Sequence, residues 1–261
     1  MRLTDIGHQL KAFRLESGLK ADEIAQRLGI SRAALYRYEK GEVIKLDTVQ
    51  RLAELLKVSP LSLLGIGVEY YQRQPAFFER LRQIEESADT ILEIGCDGSY
   101  LGTSDDYHRA IADTMHRYVE VHGAADPGLA VLCQATLAAL EERRRNYEQR
   151  QPTIIAIVSV DAVERILSRG LAFGLPNDPI LERRCHEVAI AEMERLAGLL
   201  DTPPMGYQVG LLRDGENTGS FRIMRQRDRS MLAVNPFRPT AQLLSQTGIA
   251  IVTGAAEAVA A

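Results

Sequence analysis

The chain has 261 residues, 46% of them hydrophobic and 25% charged, with a formal net charge of −4 at neutral pH. That is enough apolar material to bury a core in one large domain or two smaller ones. It holds no run of about 18 uncharged apolar residues, which argues against a membrane span, and its three cysteines (Cys96, Cys133 and Cys185) are too few and too scattered for a disulfide framework or a zinc pattern.

The first ten residues include Arg2, Asp5, His8 and Gln9 and lack the apolar run of a secretory leader, so a cytoplasmic location is expected. Charge is divided unevenly. Residues 1–64 carry 11 basic and 8 acidic side chains, residues 65–261 carry 20 and 27, and all five lysines (Lys11, Lys20, Lys40, Lys45 and Lys57) fall in the first segment. A basic front on an acidic body suits a chain whose N-terminus alone meets a polyanion.

In chain order, residues 1–66 read as five short helices. The first covers 5–17, with Ile6, Leu10 and Phe13 on one face and Gly18 as its stop. Residues 20–28 form the second. The third runs over 31–39 behind a Ser31 cap, the fourth is capped by Asp47, and a fifth opens at Ser59-Pro60. Residues 67–75 read as a linker. Residues 76–261 read as a second domain of α/β or α+β type. Its first half is expected to be helical (75–93, 104–121 and 127–149). Its second half mixes a strand at 153–160, helices at 161–169 and 178–200, and strands at 207–213, 220–226, 231–235 and 249–253. The turn-rich segment 214–219 is expected to close a hairpin between two of those strands.

Residues 18–41 carry the functional signal. Ile24, Ala25 and Leu28 make the inner face of one helix, and Leu35 and Tyr38 that of the next. The small Ala25 lets the two cross closely, and Gly29 takes the turn. The outer face of the third helix is then Arg32, Ala33, Tyr36, Arg37 and Lys40. An arginine fork there can bind guanine O6 and N7 in the major groove, while lysines and helix N-termini take phosphates. Arg32 and Arg37 also read singly as solvated surface charges, and Tyr36 as a packing residue.

This segment resembles the lambda-repressor-like, XRE-type helix-turn-helix family over about a quarter of the chain. The small residue, the Gly turn, the Ser cap and the Tyr-Glu-x-Gly close all fall at the family's spacing. The resemblance implies that Ser31, Arg32 and Ala33 read bases with Arg37 one turn later, that Lys40 touches the DNA backbone, and that Arg14 and Glu39 form a structural ion pair. It departs from the family at Ala21, where a glutamine is usual, so Lys20 or the bare helix N-terminus must serve. One such module covers little DNA, so a homodimer on a palindromic duplex operator is expected.

The body offers less. Tyr207, Phe221, Arg222 and Arg225 are a candidate effector site for an anionic small molecule, although the arginines also read as ordinary surface charge. Arg143-Arg144-Arg145 reads as a solvated helix face, and Cys185-His186 as a small apolar residue on a helix rather than a redox or metal pair. Asp105, Asp106 and His108 read as a helix start rather than a metal site, and Gly95-Cys96-Asp97-Gly98-Ser99 as a turn. No metal site, cofactor or catalytic residue is expected. The leading expectation is a ligand-responsive transcriptional regulator, not an enzyme. The alternatives are an antitoxin-type interaction protein and an enzyme domain fused to an autoregulatory DNA-binding module.

Overall fold

The computed structural model describes residues 3–96, 100–171, 178–213, 220–237 and 243–260. Five helices come first: α1 (Leu3–Ser17), α2 (Ala21–Leu28), α3 (Arg32–Glu39), α4 (Leu46–Leu56) and α5 (Pro60–Leu63). Their caps follow from the sequence. The Ser31 hydroxyl accepts the Ala34 amide at 3.0 Å, and Ser59 accepts that of Ser62 at 2.9 Å with Pro60 at the first helical position. Gly29 ends α2 at φ 67°, a left-handed conformation that costs glycine nothing. One cap differs from expectation: Lys45 precedes α4, and Asp47 lies in its first turn, where a carboxylate favours the helix dipole without capping it.

The remainder is a mixed sheet with helices. In order it holds β1 (Val68–Tyr71), α6 (Gln74–Glu85), β2 (Ala88–Cys96), α7 (Asp105–His122), α8 (Leu129–Arg150), β3 (Thr153–Ser159), α9 (Val160–Arg169), α10 (Pro179–Asp201), β4 (Tyr207–Leu212), β5 (Phe221–Gln226), β6 (Ser230–Val234), β7 (Ala250–Thr253) and α11 (Ala256–Ala260). A 3-10 turn at Tyr100–Gly102 precedes α7. The strand order is β1-β7-β6-β5-β2-β3-β4. β2, β3 and β4 are parallel, and every other pair is antiparallel. Parallel neighbours need crossovers, which α7–α8 and α9–α10 supply. On β3, Ile154, Ala156 and Val158 alternate into the core, as a strand's two-residue period requires.

Three expectations are corrected here. The half expected to be helical contains β2, an interior strand that joins the antiparallel part of the sheet to the parallel part. The expected hairpin does not form: β4 pairs with β3 and β5 with β2 and β6, while the 214–219 turn itself lies outside the described residues. Finally, the segment read as a linker is built into the body. Val68–Tyr71 pairs with Ala250–Thr253 at the far end of the chain, and α6 already begins at Gln74.

That last feature fixes how the helical domain sits. α1 packs along α6, and both domains share one hydrophobic core. Phe13 of α1 stacks on Tyr71 of β1 with centroids 5.7 Å apart, and Phe77 of α6 joins Tyr71 to Phe237. Polar bonds surround this seam. Glu69 accepts a bond from Gln9 at 2.8 Å, one from the Tyr71 hydroxyl at 2.6 Å, and a bidentate pair from Arg80 at 2.7 and 2.8 Å. Glu16 accepts the backbone amides of Gln72 and Arg73 at 2.7 and 3.0 Å. Lys11 donates to Glu79 at 2.8 Å. Burial alone would raise the Glu79 pKa, but bonds from Arg82 and Lys11 outweigh it and bring the carboxyl down to about 2.

Candidate nucleic-acid interface

The α2–turn–α3 unit is held from behind. Ala21, Ile24, Ala25 and Leu28 of α2 and Leu35 of α3 are buried. The Ile30 amide returns to the Ala25 carbonyl at 3.0 Å, and Arg51 of α4 donates to the Leu28 carbonyl at 2.9 Å. Arg14 of α1 grips Glu39 at the end of α3 with bonds of 2.5 and 3.2 Å. Gly7 brings the two helices closer than any side chain would allow. A Cβ there would lie 2.6 Å from the carbonyl oxygens of Tyr38 and Glu39. The sequence hid this requirement, since nothing near Gly7 signals a turn.

With that face fixed, the opposite face of α3 is open. Ser31, Arg32, Ala33, Tyr36, Arg37 and Lys40 are all exposed, as is Lys20 ahead of α2. Tyr38 is half-buried instead and packs against the core. The Arg32 guanidinium bonds the Tyr36 hydroxyl at 3.0 and 3.2 Å, so the two side chains stand together one helical turn apart. Arg32 also reaches Asp22 at 3.4 Å, and Arg37 reaches Glu42 at 3.3 Å. These two carboxylates were not anticipated as partners. Both pairs are open to water, where an ion pair contributes little, so a phosphate or base edge can displace them. Over residues 20–45 the exposed cations are Lys20, Arg27, Arg32, Arg37, Lys40 and Lys45, against the exposed carboxylates Asp22, Glu23 and Glu42. The Lys20 amide is already satisfied by Glu23 at 2.7 Å, which leaves its ammonium to the solvent.

The expected effector residues do not form one site. Tyr207 stands on β4, while Phe221, Arg222 and Arg225 stand on β5, with β2 and β3 between them. Arg222 is buried and engaged, with Glu93 at 2.9 Å and Glu85 at 3.3 Å. Phe221 lies partly buried opposite Val234 of β6, and Arg225 is exposed. The arginine triplet is also divided. Arg145 is solvated beside Glu141 and Glu142 as expected, but Arg143 is only 1% exposed and makes a bidentate pair with Glu85 at 2.7 and 2.9 Å.

At the start of α7, the cap is Ser104, which accepts the Tyr107 amide at 3.2 Å, while Asp105 and Asp106 pair with Arg144 and Arg109. His108 turns inward. Thr103 Oγ1 donates to the Tyr100 carbonyl, so it accepts from His108 Nε2 at 2.9 Å and leaves Nδ1 unprotonated. Burial, reinforced by the Arg144 charge, brings the imidazole pKa from 6.5 down to about 3. Among the described residues no group of three or more His, Cys, Asp or Glu is placed to hold a metal ion. Cys185 is fully buried and its thiol is pushed up to about 11, which suits packing rather than redox chemistry. Residues 97–99 of the Gly95–Ser99 turn lie outside the described residues. Among the described residues no helix is long and apolar enough to cross a membrane.

The histidine yields a signed pH prediction. A base whose folded pKa lies below its unfolded value favours the fold while neutral. That stability is complete above about pH 6.5 and drains away as pH falls toward 3. Glu79, lowered from 4.5 to about 2, adds its loss only below pH 4.5. Between pH 6.5 and 4.5 the His108 contribution to the unfolding free energy should therefore fall at a rate approaching about 1.4 kcal/mol per pH unit, offset in part by Glu16, whose carboxyl is raised by burial and acts with the opposite sign. His108→Asn should flatten that slope in urea titrations. An equal slope in the variant would place the titration elsewhere.

The geometry is that of a helix-turn-helix domain. Residues 5–63 match the family model described as a helix-turn-helix domain. Among similar proteins, one from Pyrococcus horikoshii, provisionally named an HTH-type transcriptional regulatory protein, is 47% identical over 62 residues, covering 22% of this chain and 20% of the relative. Another from Pyrococcus furiosus, provisionally named in the same way, is 34% identical over 67 residues, covering 24% and 21% respectively. The chain thus spans about a fifth of the length of the curated relatives it matches. No solved structure matches the chain at a significant level.

Proposed function

We propose that this protein is a sequence-specific DNA-binding transcriptional regulator that lays α3 in the major groove of a palindromic operator as a homodimer, and whose affinity responds to a small molecule taken up by the body. One observation carries the reading. α3 is buried along Leu35 and Glu39 and open along Arg32, Ala33, Tyr36, Arg37 and Lys40, so the chain spends its packing on holding a basic, aromatic row outward. The helix-turn-helix match over residues 5–63 and the names of the two relatives support it.

In this reading Ser31, Arg32 and Ala33 at the start of α3 meet base edges, Arg37 reads a base one turn later, and Lys20 and Lys40 hold phosphates. One domain of this size buries too little DNA for tight specific binding, so two copies engage half-sites about 10 bp apart or a multiple of that. Selection of bound duplexes from a random pool tests this, and it should enrich an inverted repeat. On the enriched sequence Arg37→Ala should cost about 1–3 kcal/mol and relax preference at one position. An equal loss on random DNA would reassign Arg37 to phosphate. A pool that enriches nothing would overturn the proposal.

A further inference from the structure

We infer that the sheet face turned away from α6 and α8 is a dimer interface, and that its occupant is the same face of a second copy of this chain. The strand registers set two rows of side chains across that face. In the first, Tyr70, Ile251, Val234, Phe221, Ile94 and Ile157 stand side by side from β1 to β3. In the second, Leu232, Ile223, Leu92 and Ile155 do so from β6 to β3. Tyr70 and Val234 are exposed, and the others are half-buried. None of them packs against the hydrophobic core. The core lies on the opposite face. There Arg222 and Glu93, at the alternate positions of β5 and β2, meet each other, and Arg222 reaches the Glu85 of α6 that Arg143 of α8 also holds.

A sheet face that stays in water is polar at alternate positions, whereas parallel strands are covered on both faces and read as continuous apolar runs. Strand β3 is of the second kind. Ile154, Ala156 and Val158 point into the core, and Ile155 and Ile157 point the other way. No charged residue stands in either row, and Arg225 enters only in the next one, at the margin. Two short helices approach the sheet elsewhere: α9 packs at β3, and α11, five residues long, at β6, and neither packs across the rows. The extent of the face suits a stable dimer. Seven strands about 4.8 Å apart and about five residues deep make a footprint of about 29 by 16 Å, so two copies would cover about 900 Å² before the relief of the side chains adds to it. A biological interface needs about 1,000 Å² in total, and homodimer interfaces are the most apolar class. An uncharged face offers nothing to select a foreign partner by charge. It is, however, its own complement about a two-fold axis, with the two sheets about 10 Å apart.

This assignment deepens the homodimer of the operator reading above, but the surface is read from the sheet alone, so it is tested without DNA. Sedimentation equilibrium of the full chain from about 0.5 to 50 μM should give twice the chain mass. Ile223 lies on β5, the fourth of the seven strands, and so at the middle of the face. Ile223→Lys puts two like charges into the contact and should leave a monomer with the circular dichroism spectrum unchanged. Should that variant not fold, Ile223→Thr keeps the branched shape and adds one hydroxyl per copy, and it should weaken dimerisation at least about 10-fold. A wild-type monomer over the whole range, or wild-type dimer affinity in whichever variant folds, would overturn the assignment. A monomer that instead binds phosphatidylcholine vesicles would overturn it by giving the face to lipid. A dimer that is lost on substitution at Ile223 but ignores duplex DNA would keep the interface and overturn the operator reading.

Discussion

Replacing Arg80 by leucine is expected to cost about 3–5 kcal/mol of stability, because it removes one partner of a buried ion pair and keeps the other. Arg80 and Glu69 have side chains only 5% and 3% exposed, and among the described residues the bidentate contact at 2.7 and 2.8 Å is the ion pair that Glu69 makes. After the substitution Glu69 retains bonds from Gln9 and Tyr71, two neutral donors that do not balance a carboxylate out of water. The consequence is sharper than its size suggests. Gln9 belongs to α1 and Arg80 to α6, so the pair lies at the seam between the helix-turn-helix domain and the sheet. Since a domain's whole stability is about 5–15 kcal/mol, urea unfolding should detect the loss easily. Glu69→Leu combined with Arg80→Leu should recover most of it, because two apolar side chains can replace a buried pair at little cost. A loss below about 1 kcal/mol for Arg80→Leu would mean that Glu69 finds water.

The second large effect is expected at Arg143→Leu. Arg143, Glu85, Arg222 and Glu93 form a buried cluster that ties α8, α6, β5 and β2 together. Two guanidiniums and two carboxylates balance one another there. Without Arg143, Glu85 must share Arg222, 3.3 Å away, with Glu93, and the cluster holds one negative charge too many. A cost of about 3–5 kcal/mol follows. The compensating change is Glu85→Leu with Arg143→Leu, which should be markedly less damaging than the sum of its parts. Strict additivity in that double-mutant cycle would contradict the cluster.

These two clusters also show where the sequence is legible and where it is not. The α3 face could be read from residues 18–41 because every element of the signal is local: the Ser31 cap, the Gly29 turn and an outward stripe at helical spacing. Even the Arg14–Glu39 pair could be named, because it is part of the family's pattern. The buried charges were hidden. Arg143 sits in a run of three arginines flanked by glutamates, and only the packing of α8 on α6 decides that the first faces inward while Arg145 faces water. Residues 88–93 of β2 read as the end of a helix because Asp89 and Glu93 continue, at four-residue spacing, the charge pattern of Glu85 in α6, whereas the strand's true partners, β3 and β5, lie far along the chain. Likewise, β1 looked like a linker because its hydrogen bonds go to β7 near the end of the chain. The turn signal at 214–219 marks the end of one strand and the start of another but carries no information on pairing, and the parallel register of β4 on β3 depends on a crossover through two helices.

The claim on which the rest depends is that an outward row of side chains on α3 meets the charged backbone and base edges of duplex DNA. The affinity of the full chain for its selected duplex should be measured from about 50 to 200 mM salt. Each phosphate contact contributes a slope of about 0.9 in the double-logarithmic plot, so a dimer should lose affinity steeply over that range. Lys40→Ala should lower the slope by about 1 per contact removed while leaving the preferred sequence intact. A flat response, or no duplex binding even in dilute buffer, would contradict the assignment of α3 as the DNA-reading helix.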